Sequence, residues 1–96
     1  MSTPESKVKS KVKRILRDMG AYYVMPHGAG YGNAGVPDFL VCLDGLFFGI
    51  ECKANGGKPT ALQLHHLSQI RKANGRGFVI DENNVDDLER MLEDEC

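Results

Sequence analysis

Several things are missing from this chain, and each absence removes a class of function. No apolar run approaches the ~20 residues of a membrane-spanning helix. The N-terminal stretch "MSTPESKVKSKVKR" is basic but lacks the apolar core of a secretory signal, so an intracellular, cytoplasmic protein is expected. The three cysteines, at 42, 52 and 96, form no C-x-x-C pair. That spacing indicates neither a disulfide framework nor a zinc knuckle. No linker, internal repeat or low-complexity segment interrupts the 96 residues, so a single domain over 1–96 is expected. A domain of this size buries roughly 60–65% of its unfolded surface, which leaves a small core.

Charge is present in quantity but is unevenly placed. Residues 1–17 hold six Lys/Arg against one Glu, a net of +5, while residues 81–96 hold eight Asp/Glu against one Arg, a net of −7. The overall net charge of −1 hides both ends. A basic first helix is a candidate phosphate-binding face. On charge alone, a solvated helix face accounts for it equally well.

Local signals divide the chain into helices and strands. Ser2 or Thr3 caps a first helix, Pro4 stands in its first turn, and Glu5 follows Ser2 by three residues. Val8, Val12, Ile15, Leu16 and Met19 line one side, and Gly20 ends it. Glu5 projects along that apolar stripe, where a capping box is the plain explanation. "AYYVM" (21–25) reads as a strand. "HGAGYGNAG" (27–35) is a glycine loop without the lysine of a P-loop, and it runs into a strand rather than a helix. A nucleotide site, and with it a nucleotide cofactor, is rejected on that ground. His27 at its mouth is either loop surface or a substrate contact. A helix from about Ala61 to Asn74, a strand at 77–81 and an acidic last helix over 84–95 complete an α-β-β-β-α-β-α order.

The stretch "GVPDFLVCLDGLFFGIECK" (35–53) carries the chemistry. Asp44-Gly45 is a strong signal for a two-residue hairpin turn. That turn pairs Leu43 with Leu46, Cys42 with Phe47 and Leu40 with Gly49, and carries Asp38 to a position opposite Glu51. Lys53 points to the same face, two residues further on. Carboxylates directly opposite each other repel, and a divalent cation would neutralise them. Oxygen ligands of this kind suit Mg²⁺ or Mn²⁺ rather than zinc. Gly49 leaves the same face open, as though a ligand approaches the sheet there. Gln63 has two readings: it closes the capping box "TALQ", and it also lies in the inward sector of Leu67 and Ile70. His65 and His66 lack a partner at zinc spacing and read as helix surface.

With "PESKV", "GVPDFLV", "GIECKANGG" and "KPTALQ" in this order, the chain resembles the PD-(D/E)xK nucleases. More narrowly, it is similar to the small, stand-alone VRR-NUC domains found in phages. The resemblance covers roughly residues 4 to 81 and implies a restriction-endonuclease-like α/β fold. Its αβββαβ core has a mixed central sheet flanked by helices, here followed by an acidic C-terminal helix. It implies Mg²⁺- or Mn²⁺-dependent hydrolysis of DNA, with one or two ions per site. Asp38, Glu51 and the backbone carbonyl of Cys52 would be the metal ligands. Lys53 would act on the attacking water and the phosphate, and Gln63 would position the lysine or the water. Glu5 would reach in as a ligand of a second cation or through water. The pool for DNA contacts is Lys7, Lys9, Lys11, Lys13, His27, Lys58, Arg71 and Lys72. By the same resemblance, the expected substrate is branched DNA such as a four-way (Holliday) junction, cut by a homodimer. A nuclease acting on flaps, ends or linear duplex is the nearest alternative. A DNA-binding module without catalysis is the alternative of another class, and the intact Asp38, Glu51 and Lys53 set speaks against it.

Overall fold

The computed structural model describes residues 3–26 and 35–96. Helix α1 (Pro4–Asp18) is capped by Thr3, whose hydroxyl accepts from the Ser6 amide. The residue three beyond the cap is therefore Ser6, and Glu5 is released from the capping-box role it would have had with Ser2. Gly20, at φ 75°, ends the helix, and the Ala21 amide reaches back to the Leu16 carbonyl. Only glycine takes that left-handed turn at no steric cost.

Four strands follow: β1 (Tyr22–Val24), β2 (Phe39–Leu43), β3 (Leu46–Cys52) and β4 (Arg76–Ile80). They lie in the order β1-β2-β3-β4, antiparallel except for the parallel pair β3/β4. The sheet is mixed, as expected. Asp44 and Gly45 both take positive φ, 52° and 79°, the signature of a type I′ turn. The resulting register pairs Leu43 with Leu46, Cys42 with Phe47 and Leu40 with Gly49.

Alternation then sorts the hairpin into two faces. Phe39, Val41, Phe48, Ile50 and Cys52 enter a core with Val8, Val12 and Leu16 of α1. Helix α2 (Ala61–Lys72) crosses the opposite face, against β3 and β4. It ends in a left-handed Asn74 (φ 70°), with Gly75 N–H donating to the Ile70 carbonyl. The left-handed turn at Asn74 thus ends the helix just before Gly75.

The last segment departs from a single helix. Val85–Asp87 form a 3₁₀ turn before α3 (Leu88–Glu95). The Asn84 side chain accepts from the Asp81 amide and donates to the Val79 carbonyl, binding the segment back to β4. Val85, Leu88 and Leu92 are buried in the core beside α1, and Arg76 of β4 pairs with Glu95. The acidic tail is therefore a structural layer of the fold. All three cysteines are free, and no helix among the described residues is long and apolar enough to cross a membrane.

Gly35 and Gly49 are both held by close packing, and Gly49 reverses an expectation. A Cβ on Gly49 would stand 2.5 Å from Ile70 Cδ1 and 3.1 Å from Pro37 Cγ. The face at Gly49 is covered by Ile70 of α2 and by Pro37. A Cβ on Gly35 would meet the Leu62 carbonyl at 2.8 Å and Leu62 Cγ at 2.5 Å. Gly35→Ala accordingly lowers unfolding stability by about 1–3 kcal/mol, the usual cost of overpacking. A denaturant midpoint equal to the wild type's would show that the contact yields without cost.

Candidate active site

The hairpin, α1 and α2 meet where β2 begins and β3 ends. Asp38 stands one residue before β2, and its Oδ2 accepts from the Cys52 N–H at 2.8 Å. That bond ties the carboxylate to the far end of β3. It also indicates the direction of the Cys52 carbonyl, since the N–H and C=O of one extended residue point to the same side. The Cys52 thiol lies on the core face, where burial, followed by the charges of Asp38 and Glu51, pushes its pKa up. Its thiolate plays no part in the site.

Glu51 is only 3% exposed. Its Oε2 accepts from Gln63 Nε2 at 3.2 Å and lies 3.8 Å from Lys53 Nζ. Burial is the main cause that raises its pKa from the ordinary 4.5 to about 8. The charge of Asp38 and a hydrogen bond with it add to the rise, and Lys53 opposes them. Two carboxyl groups this close cannot both ionise cheaply, so near neutral pH a proton is retained unless a cation replaces it.

Gln63 serves both of its readings at once. Its Oε1 accepts from the Thr60 amide at 2.9 Å while Thr60 Oγ1 accepts from the Gln63 amide, which closes the capping box. The remaining NH₂ is left to face Glu51. The cap fixes the rotamer that delivers the donor.

Helix α1 brings Glu5 and Lys9 to the site. The Lys9 ammonium bridges Glu5 and Asp38, with Nζ 3.4 Å from Glu5 Oε2 and 3.5 Å from Asp38 Oδ1. Burial tends to lower the Lys9 pKa, but Asp38 and Glu5 outweigh it and the net shift is upward. Lys9 is thus part of the charged corner. The signal for this in the sequence is its i,i+4 spacing from Glu5. Its link to Asp38 depends on tertiary packing.

The remaining basic residues scatter. Lys7 and Lys11 line a cleft of about 220 Å³ with Pro4, Val8, Ala54, Asn55, Glu82 and Val85, directly beside Lys53 in the chain. In that cleft the Asn55 amide donates to Glu82, at 2.9 Å to Oε2. Lys13 and Lys72 are exposed. Arg71 donates to the Gly77 carbonyl at 2.8 Å and so braces α2 on β4. His27 lies outside the described residues.

The donor set fits a hard divalent ion. Asp38 and the buried Glu51 stand together at the end of β3, and burial makes their unneutralised charge costly. Among the described residues, no three His, Cys, Asp or Glu side chains form a ready-made cage.

A mixed sheet with a carboxylate–lysine set at the end of its central hairpin, closed by helices on both faces, defines the restriction-endonuclease-like class. Within that class the chain has the fold of a VRR-NUC domain. A solved structure described as "VRR_NUC domain" matches it with a TM-score of 0.73 and 27% identity, over 91% of this chain and 95% of that one. "Putative nuclease p44" of Acyrthosiphon pisum secondary endosymbiont phage 1 is 36% identical over 58 residues. The match takes in 59% of this chain and 62% of that protein's length, and agrees with a small phage-type member. No protein-family model matches the chain.

Proposed function

We propose that this protein is a divalent-metal-dependent endonuclease that hydrolyses DNA phosphodiesters. Its substrate is branched DNA such as a four-way junction, and its working form is a homodimer in the cytoplasm of the cell that makes it. One observation carries the reading: Asp38, Glu51 and Lys53 share one corner of a VRR-NUC fold, with Gln63 locked onto Glu51. The nuclease description of the phage relative points the same way.

When bound, Mg²⁺ or Mn²⁺ supplies a Lewis acid for the phosphate and a lowered pKa for a bound water. The protein's own groups do the rest. Asp38 and Glu51 supply the negative charge that holds the ion, and the Cys52 carbonyl adds a third oxygen. Lys53 orients the attacking water and offsets charge gathering on the scissile phosphate. Its side chain is 15% exposed, so its ammonium faces that charge with little screening. Gln63 holds Glu51 in one orientation and spares it a search among rotamers. Lys7 and Lys11, which line the cleft with Ala54 and Asn55, would contact the DNA backbone, and such contacts position a substrate without reading its sequence. Lys13, Lys58 and Lys72 extend the same role outward. A two-fold assembly would present two such sites to the two strands of a symmetric junction.

Junction, flap, splayed-arm and linear duplex DNA, each offered with Mg²⁺, with Mn²⁺ and with EDTA, test the reading. Metal-dependent cleavage strongest on the junction is the expected result. Preference for a flap or a duplex end would move the substrate assignment, and equal cleavage in EDTA would remove the metal.

A further inference from the structure

The position of Lys9 addresses how many cations the site takes, and the inference rests on the metal-dependent reading above. Asp38 and Glu51 occupy the corner, and Glu5 is linked to it through Lys9. Glu5 and Asp38 already share a cation, because the Lys9 ammonium lies 3.4 Å from one and 3.5 Å from the other. The side chain is about one-third exposed, at the rim of the site. Its attachment is fixed by the fold. Glu5 and Lys9 are one helical turn apart on α1, and Val8 and Val12 anchor that turn in the core.

We propose that Lys9 is a tethered replacement for a second metal ion, so that each chain binds one divalent cation, on Asp38, Glu51 and the Cys52 carbonyl. Glu5 is then a positioning residue, which acts by holding Lys9 against Asp38 Oδ1. The division follows from charge. Asp38 presents Oδ2 to the Cys52 amide and Oδ1 to Lys9. A second divalent ion between Glu5 and Asp38 would meet the ammonium at the distance of an ion pair, which is strongly unfavourable unless Lys9 leaves. A fixed monovalent charge keeps part of the electrostatic benefit, and no second ion has to be recruited from solution.

Calorimetric titration of Mn²⁺ into the metal-free protein, without DNA, reads the stoichiometry directly. Wild type is expected to take up one Mn²⁺ per chain. Lys9→Met keeps the stem of the side chain but removes the charge, and is expected to take up two. Affinity at the first site should rise about tenfold or more, since a like charge 4–6 Å away shifts an ionic equilibrium by about one to three log units. Lys9→Met combined with Glu5→Gln should return to one ion, and Lys11→Met should match wild type. Two ions in wild type, or one ion with unchanged affinity in Lys9→Met, would overturn the proposal while leaving the metal site intact. No Mn²⁺ uptake by wild type would instead overturn the metal-dependent reading itself. Circular dichroism of each variant separates a loss of fold from a change of site.

Discussion

Lys53→Ala is expected to lower the cleavage rate by about 10²- to 10⁴-fold, the range of a lost electrostatic or proton-transfer group. DNA affinity should stay within a few-fold, because one ammonium among several basic residues contributes little to backbone contacts. The structure allows two routes to that loss, and they can be told apart. Lys53 Nζ is 3.8 Å from Glu51 Oε2 and is the neighbour that opposes the rise of the Glu51 pKa. If Lys53 only kept Glu51 ionised, raising the pH would restore the variant's rate. If it acts on the water and the phosphate, as proposed, the deficit persists up to pH 9. Single-turnover rates from pH 6 to 9 at saturating Mn²⁺ distinguish the two. A variant that cleaves at the wild-type rate throughout would sink the assignment.

Glu51→Gln should produce opposite effects on function and stability. Metal uptake and cleavage are lost, because a neutral amide cannot replace a carboxylate ligand of a hard cation. Metal-free stability moves the other way above neutral pH. Below about pH 4.5, Glu51 is protonated in both the folded and the unfolded chain. Between 4.5 and about 8 the folded chain keeps its proton while the unfolded chain ionises, so stability falls as pH rises through that window. Above about 8 the full penalty of the buried charge is present. The amide of the variant carries no such charge, and its NH₂ can donate to Asp38 where the retained proton did. Melting temperatures in EDTA from pH 4 to 9 should therefore decline more steeply for wild type than for Glu51→Gln. Mg²⁺ should recover most of the wild-type decline and none of the variant's. Parallel curves for the two proteins would mean that Glu51 is not a strained carboxylate.

Much of this site is written in local chemistry. Asp44-Gly45 can take the two positive φ angles of a type I′ turn, and that turn alone sets the register placing Asp38 near Glu51 and Lys53 on the same face. Period-two alternation also separates the Cys52 thiol from its own carbonyl. Gln63 is legible twice, as a cap and as an inward residue, because "TALQ" specifies one role and helical spacing the other.

What sequence could not reach depends on contacts between elements. Gly49 reads as an opening for a ligand, and only the docking of α2 shows Ile70 and Pro37 over it. Arg71 reads as a DNA contact, and the approach of α2 to β4 adds a hydrogen bond from its guanidinium to the Gly77 carbonyl. Glu5 reads as a capping or metal carboxylate, and Lys9 as one of several solvated lysines. Helical spacing supplies their pairing with each other. The third partner, Asp38, lies far along the chain and arrives only when α1 packs its Val8 and Val12 stripe under the hairpin. Turns and periodicity are encoded within a few residues and survive without a fold. The contents of a charged corner are decided by packing between distant segments, and so belong to the tertiary structure.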